Sequence, residues 1–239
     1  MFKYAIVKVP SKSMINGITS SKLGIPDYNK AIKQHKMYVN ALELCGVKVI
    51  SLQADEKFPD SCFIEDVALC TPKCAIITNP GAQSRKGEIQ SINKVLKTYF
   101  EKIEYITSPG TVEAGDIMMV GNHYYIGLSE RTNDIGASQM INIIMKYGYT
   151  GSVVCMKEFL HLKTGLSYLE NNNLIVSGEF VKSSLFKSFN KIIIESAEGY
   201  AANCIWVNNK VIIPLGFPNA KKSIEDFGYE TIAVDVSEF

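Results

Sequence analysis

Short apolar runs recur along this chain in one order: strand, strand, amphipathic helix, strand. Phe63–Ala68 and Cys74–Ile77 are separated by Pro72-Lys73, which predicts a hairpin. Ser84–Phe100 then places Ile89, Ile92, Val95, Leu96 and Tyr99 at the spacing of one helix face, and Ile103–Ile106 reads as the next strand. The order repeats. Asp116–Val120 and His123–Ile126 flank the turn signal Gly121-Asn122, before a helix over Asn133–Tyr147 and a strand over Ser152–Met156. Gly165–Leu169 and Leu174–Val176 lie around Asn171-Asn172-Asn173, before a weak helix over Ser184–Phe189 and a strand over Lys191–Glu195. Asn203–Val207 and Lys210–Ile213 lie around Asn208-Asn209, before a helix over Ala220–Phe227 and a strand over Glu230–Val236. The N-terminal segment offers only strand Phe2–Val9, helix Asp27–Cys45 and strand Val47–Leu52. The pattern therefore predicts four full units and a further one lacking the first strand of its hairpin. In a circularly closed repeat architecture the C-terminus would supply that strand.

Composition narrows the class. Of 239 residues, 46% are hydrophobic and 21% charged, the balance of a globular chain rather than a disordered one. No linker-like tract divides them, so one domain over 1–239 is expected. Lys and Arg number 25 against 24 Asp and Glu, which argues against nucleic acid or a membrane surface as partner. No apolar run approaches the ~20 residues of a membrane span. Lys8 interrupts the stretch Tyr4–Val9, which reads as a first strand rather than a signal peptide. Six cysteines without regular spacing argue for a reduced, cytoplasmic protein, and Cys70 with Cys74 lacks the second pair that zinc would need.

Polar residues concentrate on the approach to each unit's first strand. Pro59-Asp60-Ser61-Cys62-Phe63-Ile64-Glu65-Asp66, Gly110-Thr111-Val112-Glu113-Ala114-Gly115-Asp116 and His161-Leu162-Lys163-Thr164-Gly165 hold equivalent places in three units. A single carboxylate in a loop more often caps a turn. Several carboxylates and a histidine at matched positions point to a cation-binding, acid/base site, because carboxylates buried among strands need a cationic partner. Arg85 and Arg131 each follow a second strand; as a matched pair they suit a ligand carboxylate, which a guanidinium fork binds with two parallel hydrogen bonds. A ligand cationic at one end and anionic at the other is an arginine-like amino acid.

The residues resemble bacterial dimethylarginine dimethylaminohydrolases of the guanidino-group-modifying superfamily. The stretches carrying the resemblance run from Met1-Phe2-Lys3 through Gly17-Ile18-Thr19-Ser20-Ser21, Pro26-Asp27-Tyr28, Phe58–Asp66, Pro109–Val120, His161–Asn172 and Tyr200–Val207. The resemblance implies a five-bladed α/β propeller, with the closing C-terminal strand missing here, and hydrolysis of methylarginine to citrulline and alkylamine without metal or organic cofactor. It implies His161 as general acid/base and Glu113 as its orienting carboxylate. Asp66 would grip the guanidinium with Asp60 and Glu65 beside it, Arg85 and Arg131 would bind the α-carboxylate, and the backbone of Ile18 would meet the amino-acid end from a lid over Ser11–Gly24. The bacterial relatives also make a homodimer plausible. Related deiminases and amidinotransferases have His-x-Asp where this chain has His161-Leu162-Lys163, which favours methylated over free arginine.

One departure stands out. The family's nucleophile is a cysteine in Gly-Gly-x-x-Cys, just beyond the segment matching Val234–Phe239, and this sequence has no such motif. Cys45, Cys74, Cys155 and Cys204 are expected to be buried small hydrophobes, and a structural role is also favoured for Cys62. A chain ending at Phe239 is accordingly expected to bind a guanidino ligand without turning it over. The rival readings are an arginine deiminase-like hydrolase and a non-catalytic propeller resembling a ribosome-binding translation factor.

Overall fold

Asp27 sets the first helix by accepting from the backbone N–H groups of Asn29 and Lys30, two donors that a helix start otherwise leaves unpaired. That helix, α1 (Tyr28–Leu44), connects strand β1 (Tyr4–Lys8) to strand β2 (Lys48–Leu52), which pair in parallel from Tyr4 opposite Lys48 to Lys8 opposite Leu52. In this computed structural model, which describes residues 1–239, the other sheets have three strands each. The second contains β3 (Ala68–Cys70), β4 (Ala75–Ile77) and β5 (Ile103–Tyr105), with α2 (Ile89–Leu96) crossing between the last two. The third contains β6 (Ile117–Val120), β7 (His123–Leu128) and β8 (Thr150–Cys155), with α3 (Asp134–Lys146) as its crossover. The short helix α4 (Leu162–Gly165) leads into the fourth: β9 (Leu166–Tyr168), β10 (Asn173–Val176) and β11 (Asn190–Ile193). The fifth contains β12 (Ile205–Val207), β13 (Lys210–Pro214) and β14 (Glu230–Val234), with α5 (Pro218–Asp226) between the last two. In each three-stranded sheet the first two strands are antiparallel and the third is parallel to the second. The Asn208-Asn209 turn has φ of 48° and 76°, the double left-handed conformation that a two-residue hairpin requires.

The cores lie between sheets. Cys74 and Ile76 of the second sheet pack with Ile126 and Met140 of the third unit. Met118 and Val154 pack with Leu166 and Leu174, and Ile175 and Ile192 with Val211 and Ile213. Val7, Leu42 and Val47 of the first unit pack with Val207, Ile212 and Val234 of the last, so the end of the chain meets its beginning. Asn208 reinforces that junction by accepting from Phe2 N–H and donating to the carbonyls of Phe2 and Cys45. The five sheets are separate rather than hydrogen-bonded into one closed sheet, and no helix is long and apolar enough to cross a membrane.

Two expectations from the apolar pattern need correction, and both concern the site. Ile64–Val67, expected as strand, is a 3-10 turn, and only Ala68–Cys70 is extended. The expected helix over Ser84–Phe100 divides into a 3-10 segment, Gln83–Glu88, and α2. In a 3-10 turn residues three apart eclipse, which puts Arg85 and Glu88 on one side. Ion pairing among buried polar residues drives both departures, and apolar periodicity does not register it. Cys155, expected to be buried, is exposed near the end of β8.

Candidate active site

The approaches to three units converge on one imidazole. His161 precedes α4, and Leu162 beside it is fully buried, a contribution of about 1.5–3 kcal/mol that anchors the backbone under the ring. His161 Nε2 lies 3.5 Å from Glu113 Oε2 and 3.9 Å from Asp66 Oδ1. Nδ1 lies 3.3 Å from Asp116 Oδ2, without the alignment of a hydrogen bond. Burial alone would make the ring give up its proton more easily. Asp116, Asp66 and Glu113 outweigh that and raise its pKa above the ordinary histidine value. Glu113 is itself pushed up, first by burial and then by Asp66, with Arg85 and His161 drawing it back.

Asp66 reaches the ring because of its 3-10 turn and because of a glycine. Its Oδ1 accepts from Gly115 N–H at 3.0 Å. A Cβ on Gly115 would lie 2.7 Å from that oxygen and 3.0 Å from the imidazole, so only glycine lets the two segments approach this closely.

Arg85 was expected to bind a ligand carboxylate. Here it is turned onto the protein's own acceptors. Its Nη1 donates to Asp66 Oδ2 at 2.6 Å, its Nη2 to the carbonyls of Asp60 and Phe63, and its Nε and Nη2 to Glu88. Glu113 Oε2 is 3.7 Å away. Arg131 has no carboxylate partner; its backbone packs against Gly81, whose Cβ would lie 2.5 Å from the Arg131 carbonyl oxygen, and this holds the arginine beside the turn that carries Arg85.

Asp60 is buried and accepts from Ile18 N–H at 2.9 Å, while Glu56 accepts from the N–H groups of Lys12 and Ser13. The expected lid is thus tied down at its N-terminal end and at its middle, with the Ile18 side chain half exposed. Glu65 is paired at 2.6 Å with Lys163. A cavity of about 580 Å³ begins at Asp66, Glu65, Gly115 and His161 and continues past Tyr38 to β1 and β14. Single atoms of Asp66, Glu113 and His161 lie within 4.8 Å of one another, close enough for a cation to sit among them, and Arg85 supplies positive charge there.

The structure therefore gathers Asp66, Glu113, His161 and Arg85, sets Glu65 at the cavity wall, and leaves Asp60 and Ile18 joined to each other. Sequence reasoning placed Gly115 and Asp116 in a polar approach without giving either a role, and missed Glu88, Ser129 and Thr132. The spacing Glu113-x-x-Asp116 was the available signal, since a 3-10 turn over Ala114–Asp116 can present both to one partner.

Known proteins resemble this chain over most of its length. A sequence model of the family described as N,N dimethylarginine dimethylhydrolase, eukaryotic, matches residues 22–185. The N(G),N(G)-dimethylarginine dimethylaminohydrolase of Pseudomonas aeruginosa is 55% identical over 240 aligned positions, covering 100% of this chain and 94% of the relative, and that of Streptomyces coelicolor is 26% identical over 99% of this chain and 92% of the relative. A solved structure of the Pseudomonas aeruginosa enzyme, a cysteine-to-serine variant complexed with citrulline, superposes with a TM-score of 0.99 over 100% of this chain and 94% of that one. The N-terminal domain of a cyanobacterial arginine dihydrolase, bound to product, superposes with a TM-score of 0.89 at 16% identity over 100% of this chain and 93% of that one, a likeness of fold alone.

Proposed function

The chain belongs to the dimethylarginine dimethylaminohydrolase family, and from that membership we propose that it hydrolyses Nω-methylated arginine, dimethylarginine or monomethylarginine, to citrulline and the alkylamine. The observation that carries the proposal is the meeting of His161, Glu113 and Asp66 at the end of a cavity long enough for an amino acid.

In this reading Asp66 and Glu65 align the guanidinium, whose carbon is a poor electrophile because resonance spreads its charge. A cysteine thiolate adds to that carbon to give a tetrahedral adduct. The imidazolium of His161 then donates its proton to the departing dimethylamine, leaving a thiouronium. Neutral His161 next takes a proton from water as the hydroxyl adds to the same carbon; expulsion of the thiolate, with the hydroxyl proton passing to solvent or the released amine, gives citrulline. Glu113 holds the ring for both transfers. Arg131 is the arginine free to bind the α-carboxylate; Arg85 joins it only by releasing one of its present acceptors. The lid brings Ile18 and Asp60 to the amino-acid end. No metal or organic cofactor enters these steps, and a homodimer in the cytoplasm is the setting we infer.

None of the six cysteines suits the nucleophile. Cys62 and Cys204 line the cavity, but burial pushes each thiol up to about 12, leaving almost no thiolate at neutral pH. Cys45 and Cys74 are buried in cores, and Cys70 and Cys155 are exposed elsewhere. The reading therefore assigns the nucleophile to none of the six. Ala5, Ile6 and Val7 line the cavity in succession, as they do where a cavity follows a strand's edge, and β1 has a strand on one side only. The cores linking each sheet to the next support a single five-bladed propeller domain. Coverage of 94% of the Pseudomonas aeruginosa relative gives no support to an inactive chain, and none is proposed.

Lys163 beside Glu65 favours methylated substrate over arginine, because its ammonium competes with an unsubstituted nitrogen for that carboxylate. Parallel titration calorimetry with dimethylarginine and arginine tests the reading: tighter binding of dimethylarginine supports it, and equal or tighter binding of arginine favours the deiminase-like alternative.

A further inference from the structure

We propose that Asp116 is a positioning residue of His161, a buried carboxylate held close against Nδ1 while Glu113 faces Nε2. The inference rests on the acid/base reading of His161 and extends it to the nitrogen turned away from the reaction.

Asp116 is fully buried, and both its oxygens are committed. Oδ1 accepts from Leu162 N–H at 3.0 Å, which ties it to the backbone next to the imidazole. Oδ2 accepts from Ser129 Oγ at 2.7 Å and Thr132 Oγ1 at 2.6 Å, and lies 3.3 Å from His161 Nδ1. Three donors around one carboxylate hold it in place, so its position behind the ring stays fixed as the ring gains and loses a proton.

The supporting turn serves more than Asp116. Thr132 Oγ1 also accepts from Glu113 N–H at 3.1 Å, so one hydroxyl joins the Asp116 carboxylate to the backbone of Glu113. Ser129 Oγ accepts from the N–H groups of Arg131 and Thr132, which fixes the turn carrying the arginine free for a substrate carboxylate. The arginine and the imidazole are thus mounted on one hydrogen-bonded piece, two hydroxyls apart.

Asp66, Glu113 and Asp116 are the ionisable groups that face the ring, with Arg85 behind Asp66 and Glu113 and Lys163 held on Glu65. Only Asp116 faces Nδ1 and stays clear of the cavity wall. A purely structural role would let Asp116→Asn keep the titration of His161. A positioning role would not.

The test is a ring-carbon NMR titration of His161 in wild type and Asp116→Asn. The chain has only His35 and His123 as other histidines, so assignment is direct. Loss of a close opposite charge should lower the midpoint by about 1–3 pH units. Citrulline release from dimethylarginine should lose about 100-fold in kcat with KM unchanged, because Asp116 does not reach the substrate. Thr132→Val, a milder change, should move the midpoint the same way by less, and serves if Asp116→Asn fails to fold. An unchanged midpoint in either folded variant overturns the inference, as does a raised KM with kcat retained. If the wild type releases no citrulline, the proposed function fails while the titration still decides the role of Asp116.

Discussion

Arg85 Nη1 donates to Asp66 Oδ2 at 2.6 Å, so the carboxylate assigned to a substrate guanidinium already holds one belonging to the protein. Asp66 is thereby held in place and aimed, in a geometry already suited to a guanidinium. Removing Arg85 would leave Asp66, Glu88 and Glu113 buried without a counter-charge. Arg85→Met should therefore cost about 3–5 kcal/mol in urea unfolding. The double variant Arg85→Met/Glu88→Gln should recover part of that loss, because one stranded charge is gone. A single variant as stable as wild type would contradict this view of the cluster.

Gly115 gives a sharper spatial test. Its missing Cβ is what lets Asp66 and His161 approach, and an added methyl would enter the space between them at 2.7 Å and 3.0 Å. Gly115→Ala should lower kcat/KM for dimethylarginine by about 100-fold, the scale expected for a displacement near 1 Å. Near-wild-type activity in this variant would remove the close approach from the account.

The charge on His161 links activity and stability to pH. Its folded pKa lies above the ordinary value of about 6.5, so the ring binds its proton more tightly folded than unfolded. That contribution is fully present below about pH 6.5 and is lost as pH rises through the folded value. Wild-type unfolding free energy should fall across this window, and His161→Gln should lack that part of the fall. Parallel pH profiles for the two proteins would contradict the assignment.

Lys163 and Glu65 make a different kind of pair, since the Glu65 side chain is 66% exposed. Lys163→Met should change stability by less than about 1 kcal/mol. It should also lower KM for arginine more than for dimethylarginine, by freeing Glu65 for an unsubstituted nitrogen. Unchanged KM values for both would remove this pair from specificity.

The cysteines offer a chemical check. Alkylation at pH 8, mapped by mass spectrometry, should modify exposed Cys155 well before Cys62 or Cys204, whose thiols are pushed up to about 12. Rapid labelling of Cys62 that citrulline prevents would make it a nucleophile after all.

Much of the fold was legible in the pattern of residues. Ile92 and Leu96 are buried at the predicted helix face, and Asn208-Asn209 turns its hairpin as the asparagine pair implied. The core-directed half of the site was harder to read. Asp66, Arg85 and Glu88 interrupt apolar patterns because they satisfy one another, and the bond between Arg85 and Asp66 spans 19 positions. Asp116 meets Leu162 across 46 positions. No local period encodes such pairings; they exist only once the units have closed on one another. Resemblance pointed to His161 and Glu113, which the fold brings together, but it did not reveal that Arg85 is occupied by the protein's own acceptors.

Citrulline release from dimethylarginine, with arginine assayed in parallel and His161→Gly as control, tests the central claim most directly. The account predicts citrulline from dimethylarginine, much less from arginine, and none above background from the variant. Citrulline from arginine at an equal or greater rate, or undiminished release by His161→Gly, would contradict it.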